Sequence, residues 1–303
     1  MDIRNNGGGS LYEVVKMVGL FIKTGPIVQV KDRSGNVDQM TWRDNDPSVL
    51  YDGPLAVLVN EFSASASEIF AGAIQDYHRG IIIGSTSTFG KGTVQRQIPF
   101  GSRNDFSTNR TDMGAMTLTF QKFYRVNGGS TQLKGIVPDI IMPDKYEYYK
   151  VREKDMPEAL AWDEIQKANY AVWQPAEVIA DLATKENARI QSDANLSLLK
   201  NNLIWLSKNI EQPIPLQLDA FRSKQKQIQT TDTQNNTLLV SPSEMDIDYI
   251  TAEKDKFINH PDKSKADFYA AWIKSLRKDL HIEEGVKMVE QLSVMQKTGL
   301  VNK

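Results

Sequence analysis

The alternation of apolar and polar positions predicts helices and strands in turn along the first half of the chain. Apolar residues recur at helical spacing over residues 11–22 and 63–77, which predicts two amphipathic helices. Continuous apolar runs at residues 55–59 and 81–83 are typical of buried strands. Residues 27–30 predict a further strand that ends in a turn. The first half is therefore expected to be mixed α/β.

One more strand is predicted where Met116, Leu118 and Phe120 alternate with polar residues. This alternation indicates that one face of the strand is buried and the other is exposed. The strand leads towards a turn at Asn127-Gly128-Gly129.

After Pro143 the pattern becomes mostly helical. Two sets of apolar residues keep helical spacing: Leu199, Leu203, Leu206 and Ile210, and Phe268, Trp272, Leu276 and Leu280. Between them, residues 224–242 are rich in Gln, Asn and Thr, which predicts a mobile loop. We expect two units, residues 1–145 and residues 146–303. The aromatic residues of the second unit, such as Trp205, Phe268 and Trp272, are expected to belong to its core.

Composition narrows the classes of function. The 303 residues are 24% charged and 40% hydrophobic, as in a soluble globular protein. The net charge of −2 disfavours a nucleic-acid partner, which would select a basic surface. The chain has no cysteine, which excludes a thiol nucleophile and a thiolate metal site. The three histidines show no metal-ligand spacing, so neither a metal site nor a cofactor is expected.

The first candidate for chemistry is the segment 60–69, Asn-Glu-Phe-Ser-Ala-Ser-Ala-Ser-Glu-Ile. It joins a predicted buried strand to a predicted helix. A hydroxyl such as that of Ser65 would lie where backbone N–H groups are unpaired and could stabilise an oxyanion. The alternative is a capping box, in which Ser65 caps the helix and Glu68 reaches back. On this segment alone, the cap is favoured.

The second candidate is Lys91, which has a glycine on each side within residues 88–95. Flanking glycines allow the backbone to approach another element closely. A lysine ammonium held among apolar strands loses hydration, and its pKa falls. A neutral lysine can then accept the proton of a serine hydroxyl. The alternatives are a tight turn with a solvated lysine and a phosphate-binding loop. The phosphate-binding motif requires a further glycine near the start of this loop, and residues 85–88 contain none.

The third candidate is the glycine run at residues 7–9. Consecutive glycines can direct backbone N–H groups inward and supply a second oxyanion donor. A flexible turn is at least as good an interpretation of this segment alone.

These three segments, in this order, resemble the tail-specific (carboxyl-terminal processing) proteases, which are serine peptidases of the Ser-Lys type. A fourth segment, Gly-Ile-Val-Pro-Asp-Ile at residues 135–140, resembles the motif that follows the last core strand of that family. The resemblance is strong over about residues 1–145. It implies an α/β core of the crotonase-like (ClpP-like) kind, followed by a mostly helical C-terminal domain.

Matched position by position, the resemblance makes Ser65 the nucleophile, rather than Ser63 or Ser67, and makes Lys91 its general base. The other implied roles are orientation of the lysine by Gln95, oxyanion binding by the N–H groups of Ala66 and Gly8, and structural support by Asp76. The interval between serine and lysine is one residue longer than we expect for the family, with the extra residue within positions 85–88.

The resemblance also implies how substrates are recognised. The family carries a PDZ domain ahead of these motifs, which binds the apolar C-terminal end of substrates. No segment of this chain supplies that domain, so we expect an N-terminally truncated catalytic half. The implied partners are proteins and peptides with apolar C-termini. Membrane-protein or adaptor partners are left open, and the implied location is the periplasm or cell envelope.

Two alternatives belong to other functional classes. The chain could be a catalytically silent fragment or scaffold module that keeps the protease fold and uses Ser65 only as a helix cap. It could also be a crotonase-type enzyme that transfers acyl groups from a thioester. The second alternative requires a site for adenine and phosphate, and no basic cluster in the sequence suits one.

Overall fold

The computed structural model describes residues 1–32, 35, 41–100 and 114–297. Their strands form two sheets. A parallel sheet has the order β3-β4-β7, and an antiparallel sheet has the order β2-β1-β6-β5. The strands are β1 (Gly25–Asp32), β2 (Trp42–Asp44), β3 (Ala56–Val59), β4 (Ile81–Gly84), β5 (Thr93–Pro99), β6 (Ala115–Tyr124) and β7 (Ile140–Ile141).

Helices cover the parallel sheet on both faces and dominate the second half of the chain. This confirms the predicted mixed α/β region followed by a helical region. The α-helices are α1 (Leu11–Gly19), α2 (Ala66–Asp76), α3 (Ala176–Ser192), α4 (Ala194–Ile210), α5 (Leu218–Leu238), α6 (Lys254–Phe257), α7 (Lys263–Leu276) and α8 (Leu280–Lys297). In the described residues, no helix is both long and apolar enough to cross a membrane.

The continuous apolar runs of β3 and β4 follow from burial on both faces. On one face, Val57, Val59 and Ile82 pack with the apolar residues of α1 and α2. On the other face, Leu58 and Ile83 pack with apolar residues of α3, α4 and α8. The helical region after residue 146 therefore completes the core of the sheet that leads to the candidate site.

The predicted strand at Met116, Leu118 and Phe120 is confirmed as β6, but its predicted burial is wrong. These side chains are 43%, 44% and 38% exposed. β6 pairs with β5, whose residues from Gln95 to Pro99 are also exposed. Only the end of β6 is buried, at Phe123 and Tyr124. The outer part of this strand pair extends past the core, so alternation alone did not guarantee a covering layer.

The mobile loop predicted at residues 224–242 is also wrong, because α5 runs through residue 238. Polar side chains stabilise this helix locally. Thr233 Oγ1 donates to Gln229 O at 2.8 Å, and Asn202 Nδ2 of α4 donates to Gln234 Oε1 at 2.9 Å. Asn235 is fully buried. A polar composition is therefore compatible with a helix that pairs with a neighbouring helix.

The aromatic residues of the second half are less buried than predicted. Phe268 is 65% exposed and Trp272 is 45% exposed, whereas Trp205 is half-buried. α7 contributes no buried residue, and its rings contact neighbouring rings such as Phe257 and Tyr249 of the α6 region. The helical spacing is confirmed for α4 and α7, but Leu280 begins α8 instead of continuing α7.

Candidate active site

The N-terminal segment lies along the edge of the parallel sheet. The Ile3 N–H donates to Leu58 O at 3.0 Å, and Asp2 forms a parallel bridge to Leu58. Further along, the Asn6 carbonyl accepts the Ala64 N–H at 3.0 Å. The segment therefore acts as an added parallel strand, and it places the three glycines that follow beside the turn at the start of α2.

Ser65 has a backbone conformation that residues with a Cβ seldom adopt. Its φ is 57° and its ψ is −114°. Such a conformation costs on the order of 1–3 kcal/mol and persists only where the surrounding structure enforces it. The Glu68 N–H donates to the Ser65 carbonyl at 2.9 Å rather than to the Ser65 hydroxyl, and the Ser65 N–H donates to Glu68 Oε2 at 2.8 Å. The half of the capping box that Glu68 supplies is therefore formed, and the Ser65 hydroxyl is left for other chemistry.

The serines on either side of Ser65 are occupied. Ser63 Oγ donates to Ile3 O at 2.8 Å and accepts the Asn60 N–H at 3.0 Å. Ser67 Oγ donates to Asn6 O at 2.9 Å. Both residues are buried, whereas Ser65 is partly exposed. Of the three hydroxyls in this motif, the middle one is the hydroxyl that reaches the surface without a structural partner.

Gly8 lies directly against the Ser65 turn. A Cβ at this position would lie 2.5 Å from Ala64 O, 2.7 Å from Ala66 N and 2.9 Å from Ser65 Cβ, and φ is +97°. The Ala66 N–H has no acceptor among the described residues, as an oxyanion donor requires. The Gly8 N–H, in contrast, donates to Asn6 Oδ1 at 2.9 Å. The two predicted oxyanion donors are thus adjacent, and the second is engaged by a side chain.

Glu68 joins the turn at Ser65 to the loop of residues 85–92, which carries Lys91 and is called the lysine loop below. Its carboxylate accepts the Thr88 hydroxyl at 2.6 Å, the Gly90 N–H at 2.7 Å and the Lys91 N–H at 2.9 Å, in addition to the Ser65 N–H. The side chain is fully buried. In the sequence, the spacing of Glu68 from Ser65 indicated only a capping role. Its position on the apolar face of α2, beside Ile69 and Phe70, was the available signal of a buried role.

Burial raises the pKa of Glu68 to about 7, because the ionised carboxylate loses hydration. The hydrogen bonds from Thr88, Gly90, Ser65 and Lys91 favour the charged form and oppose this effect. An ionised carboxylate accepts all four bonds, whereas a protonated one gives up part of that capacity. The connection between the two loops is therefore sensitive to pH near neutrality.

Lys91 lines an open cleft beside the Ser65 turn. The cleft has a volume of about 480 Å³ and is lined by Gly7, Ala64, Phe89, Lys91, Thr93, Gln95, Thr119, Glu153, Met156, Glu158, Ala159 and Leu160. Lys91 is partly exposed, and its Nζ donates to Gln95 Oε1 at 3.1 Å. Ser65 Oγ and Lys91 Nζ make no direct hydrogen bond. The structure therefore brings Lys91 and Gln95 together on the cleft.

Asp76 lies at the other end of α2 from Ser65. Its carboxylate accepts Arg125 Nη2 at 2.6 Å, Arg125 Nε at 3.0 Å and Asn127 Nδ2 at 2.9 Å. Asp76 comes ten positions after Ala66 in this helix, a distance of roughly 15 Å at the rise of an α-helix. It fastens α2 to the segment that follows β6.

Two of the three histidines contact backbone carbonyls of distant segments. His281 is buried, with Nε2 3.2 Å from Pro143 O, and His78 Nδ1 lies 3.2 Å from Gln174 O. Over the ranges that the structure describes, no group of three or more His, Asp or Glu side chains is arranged to hold a metal ion.

Sequence comparison identifies the family. Residues 1–142 match Peptidase family S41. The first half of the chain therefore has the sequence pattern of this peptidase family. Residues 146–293 match the C-terminal domain of tail specific protease (DUF3340). The resemblance found in the motifs is therefore confirmed, and a catalytically silent scaffold or a crotonase-type acyltransferase is not favoured.

The S41 relatives include a tail-specific protease from Haemophilus influenzae, 49% identical over 170 residues, and a carboxy-terminal-processing protease from Bartonella bacilliformis, 40% identical over 155 residues. The aligned regions cover 56% and 50% of this chain, and 24% and 33% of the relatives. The chain thus spans a third or less of the length of these relatives. A solved photosystem II D1 C-terminal processing protease is 32% identical over 46% of this chain and 33% of its own, with a TM-score of 0.39.

Proposed function

We propose that this chain carries the catalytic centre of a serine endopeptidase that uses a Ser65–Lys91 dyad. The observation that carries the proposal is the state of Ser65. Its backbone is held at φ 57° and its hydroxyl lacks a structural partner, while the hydroxyls of Ser63 and Ser67 are both engaged. A structural cap would show the opposite pattern.

In the proposed mechanism, neutral Lys91 removes the proton of Ser65 Oγ as the oxygen attacks the peptide carbonyl carbon. The tetrahedral oxyanion receives hydrogen bonds from the Ala66 N–H and, once Asn6 Oδ1 yields it, from the Gly8 N–H. The ammonium of Lys91 then protonates the leaving amine. A water molecule, deprotonated by Lys91, hydrolyses the acyl-enzyme and restores Ser65.

Gln95 has a supporting role in this proposal. It accepts a hydrogen bond from Lys91 Nζ, which holds the amine in the cleft before substrate binds. A change in the Lys91 side-chain torsions transfers the amine from Gln95 to Ser65 Oγ. Tightening of a catalytic hydrogen bond on formation of the substrate complex is common in enzymes.

The proposed substrates are proteins cleaved near an apolar C-terminus, in the periplasm or cell envelope. Cleavage near the C-terminus rests on the names of the relatives, which are tail-specific and carboxy-terminal-processing proteases. The apolar character of that C-terminus and the location rest on the family resemblance alone. The cleft beside Lys91 combines apolar residues such as Phe89 and Leu160 with the carboxylates of Glu153 and Glu158. It can accept an extended chain with apolar side chains.

Labelling with a serine-directed phosphonate tests the dyad on the 303-residue chain itself. We expect labelling of the wild type and a loss of about 10³-fold or more in the rate for Ser65→Ala and for Lys91→Ala. Ser63→Ala and Ser67→Ala are matched controls, because they remove a neighbouring hydroxyl and leave the dyad. Labelling that survives in Ser65→Ala would refute the assignment of the nucleophile.

A further inference from the structure

A buried arginine from the segment that follows the peptidase core contacts the loop that carries Lys91. Arg152 is 3% exposed. Its Nε and Nη2 donate to Ser87 O at 3.3 Å and 3.2 Å, and its Nη2 also lies 3.4 Å from Ser85 Oγ. These acceptors lie four and six residues before Lys91 in the sequence. The guanidinium therefore spans the start of the lysine loop.

Glu147 extends this contact. Its Oε2 accepts Arg152 Nη2 at 3.0 Å and the Thr86 N–H at 2.9 Å, and its Oε1 accepts the Thr86 hydroxyl. Arg152 Nη1 donates to the Glu147 carbonyl at 2.9 Å. The arginine and the glutamate thus bind three successive residues of the loop, and each satisfies the buried polar groups of the other.

The next residue along the segment continues the same contact nearer to the lysine. The Glu153 N–H donates to Phe89 O at 3.0 Å. Its carboxylate accepts Gln132 Nε2 at 3.0 Å, and Gln132 Oε1 accepts the Gly92 N–H at 2.8 Å. Glu68 holds the opposite side of the loop through Thr88, Gly90 and Lys91. The lysine loop is therefore held from both sides.

We infer that Arg152 is a positioning residue for Lys91 and acts through the backbone of residues 85–89. This inference rests on the proposed role of Lys91 as general base. Without the guanidinium, the buried carbonyl of Ser87 and the buried carboxylate of Glu147 would each lose their charged donor and keep only the hydrogen bonds from Ser85 and Thr86. The loop would then move to recover hydrogen bonds, and a displacement of about 1 Å at a catalytic group can cost about 100-fold in rate.

The test measures the rate of phosphonate labelling at Ser65 as a function of pH, together with the thermal unfolding midpoint. The variants are Arg152→Met and Arg152→Lys. Arg125→Met is the matched control, because Arg125 is also a poorly exposed arginine paired with a carboxylate, Asp76, at the far end of α2. The titratable groups that face Lys91 are Glu68, through the backbone, and Glu153 and Glu158 across the cleft.

We expect Arg152→Met to label about 100-fold more slowly than the wild type. We also expect the midpoint of its pH–rate profile to rise, because a positive charge is lost while the carboxylate of Glu147 remains. Arg152→Lys should recover part of the rate, since it keeps the charge but not the forked geometry. Arg125→Met should unfold at a lower temperature, but the midpoint of its pH–rate profile should equal that of the wild type.

Three results would overturn the inference, and they are distinguishable. If Arg152→Met folds and has the labelling rate and the pH–rate midpoint of the wild type, Arg152 does not position Lys91. If Arg152→Met fails to fold, an unchanged profile in Arg152→Lys leads to the same conclusion. If Lys91→Ala labels like the wild type, the proposed general base is wrong, and the role of Arg152 is rejected with it.

Discussion

Two regions of this molecule are held together by different means. In α2, which begins at the turn that carries Ser65, ten of the eleven residues are buried, including Glu68 and Asp76. In α5 and α7, with 21 and 14 residues, Asn235 is the single buried residue. The first region is fixed by core packing and buried hydrogen bonds, and the second by local helical contacts. Buried residues are therefore concentrated in the helix that carries the candidate site and are rare in the two peripheral helices.

The largest test of this contrast compares two phenylalanines. Phe70 of α2 is 1% exposed and packs edge-on against Phe21, with ring centroids 5.8 Å apart. Phe70→Ala should reduce the free energy of unfolding by about 3–5 kcal/mol, because it leaves a cavity in the core. Phe268→Ala in α7 should change it by less than about 0.5 kcal/mol. Chemical denaturation measures both, and equal losses would contradict the contrast.

A second test uses pH and the carboxyl group of Glu61, which is fully buried. Burial, and next the neighbouring Asp144, raise the pKa of Glu61 to about 8. A raised pKa means that the folded state holds the proton more tightly than the unfolded state. Its contribution to stability is therefore complete below the unfolded pKa and is lost as pH rises through about 8.

The isosteric variant Glu61→Gln removes this titration. Between about pH 5 and pH 7, the wild type should lose up to about 1.4 kcal/mol per pH unit relative to the variant. His281 has its pKa lowered by burial, so its contribution declines as pH falls, but this effect is common to both proteins and cancels in the comparison. A constant difference in unfolding free energy across this pH range would show that Glu61 stays ionised.

The smallest effect is expected at two matched helix caps. Asp193 caps α4 through the N–H groups of Asn195 and Leu196, and Asp262 caps α7 through those of Ser264 and Lys265. Each Asp→Ala change should cost about 1 kcal/mol of local helix stability. For Asp193→Ala, the cost should appear in global unfolding, because α4 carries buried leucines. For Asp262→Ala, it should appear mainly as faster amide exchange within α7.

The elements that burial determines could be predicted from the sequence. Two of the three strands of the parallel sheet, β3 and β4, follow directly from apolar runs, and α1, α2 and α4 follow from helical spacing. The errors occur where an apolar residue has no layer to cover it, as at Leu118 and Phe268, or where polar residues form a helix, as in α5. The sequence pattern shows whether a side chain is apolar or polar, whereas its burial depends on packing partners that are distant in the sequence.

The candidate site was predictable by residue but not by geometry. The motifs identified Ser65, Lys91 and Gly8, and the structure places Gly8 against Ser65. The selection of the middle hydroxyl depends on Ile3 and Asn6, which occupy Ser63 and Ser67 from about sixty positions away. The contact of Lys91 with Gln95 agrees with the role that the resemblance implied for Gln95, whereas the hydrogen bond from the Gly8 N–H to Asn6 Oδ1, two residues away, was not predicted.

The added strand at the N-terminus has a consequence for the timing of folding. Asn5 reaches across 55 positions to Asn60, and Gly90 reaches back 22 positions to Glu68. Contacts between such distant segments form late, because closing long loops costs entropy before the contacts reward it. A partly folded chain therefore holds Ser65 without its glycine loop or its lysine. Under the proposed mechanism, such a chain lacks its general base and one oxyanion donor, so it should not yet cleave peptides.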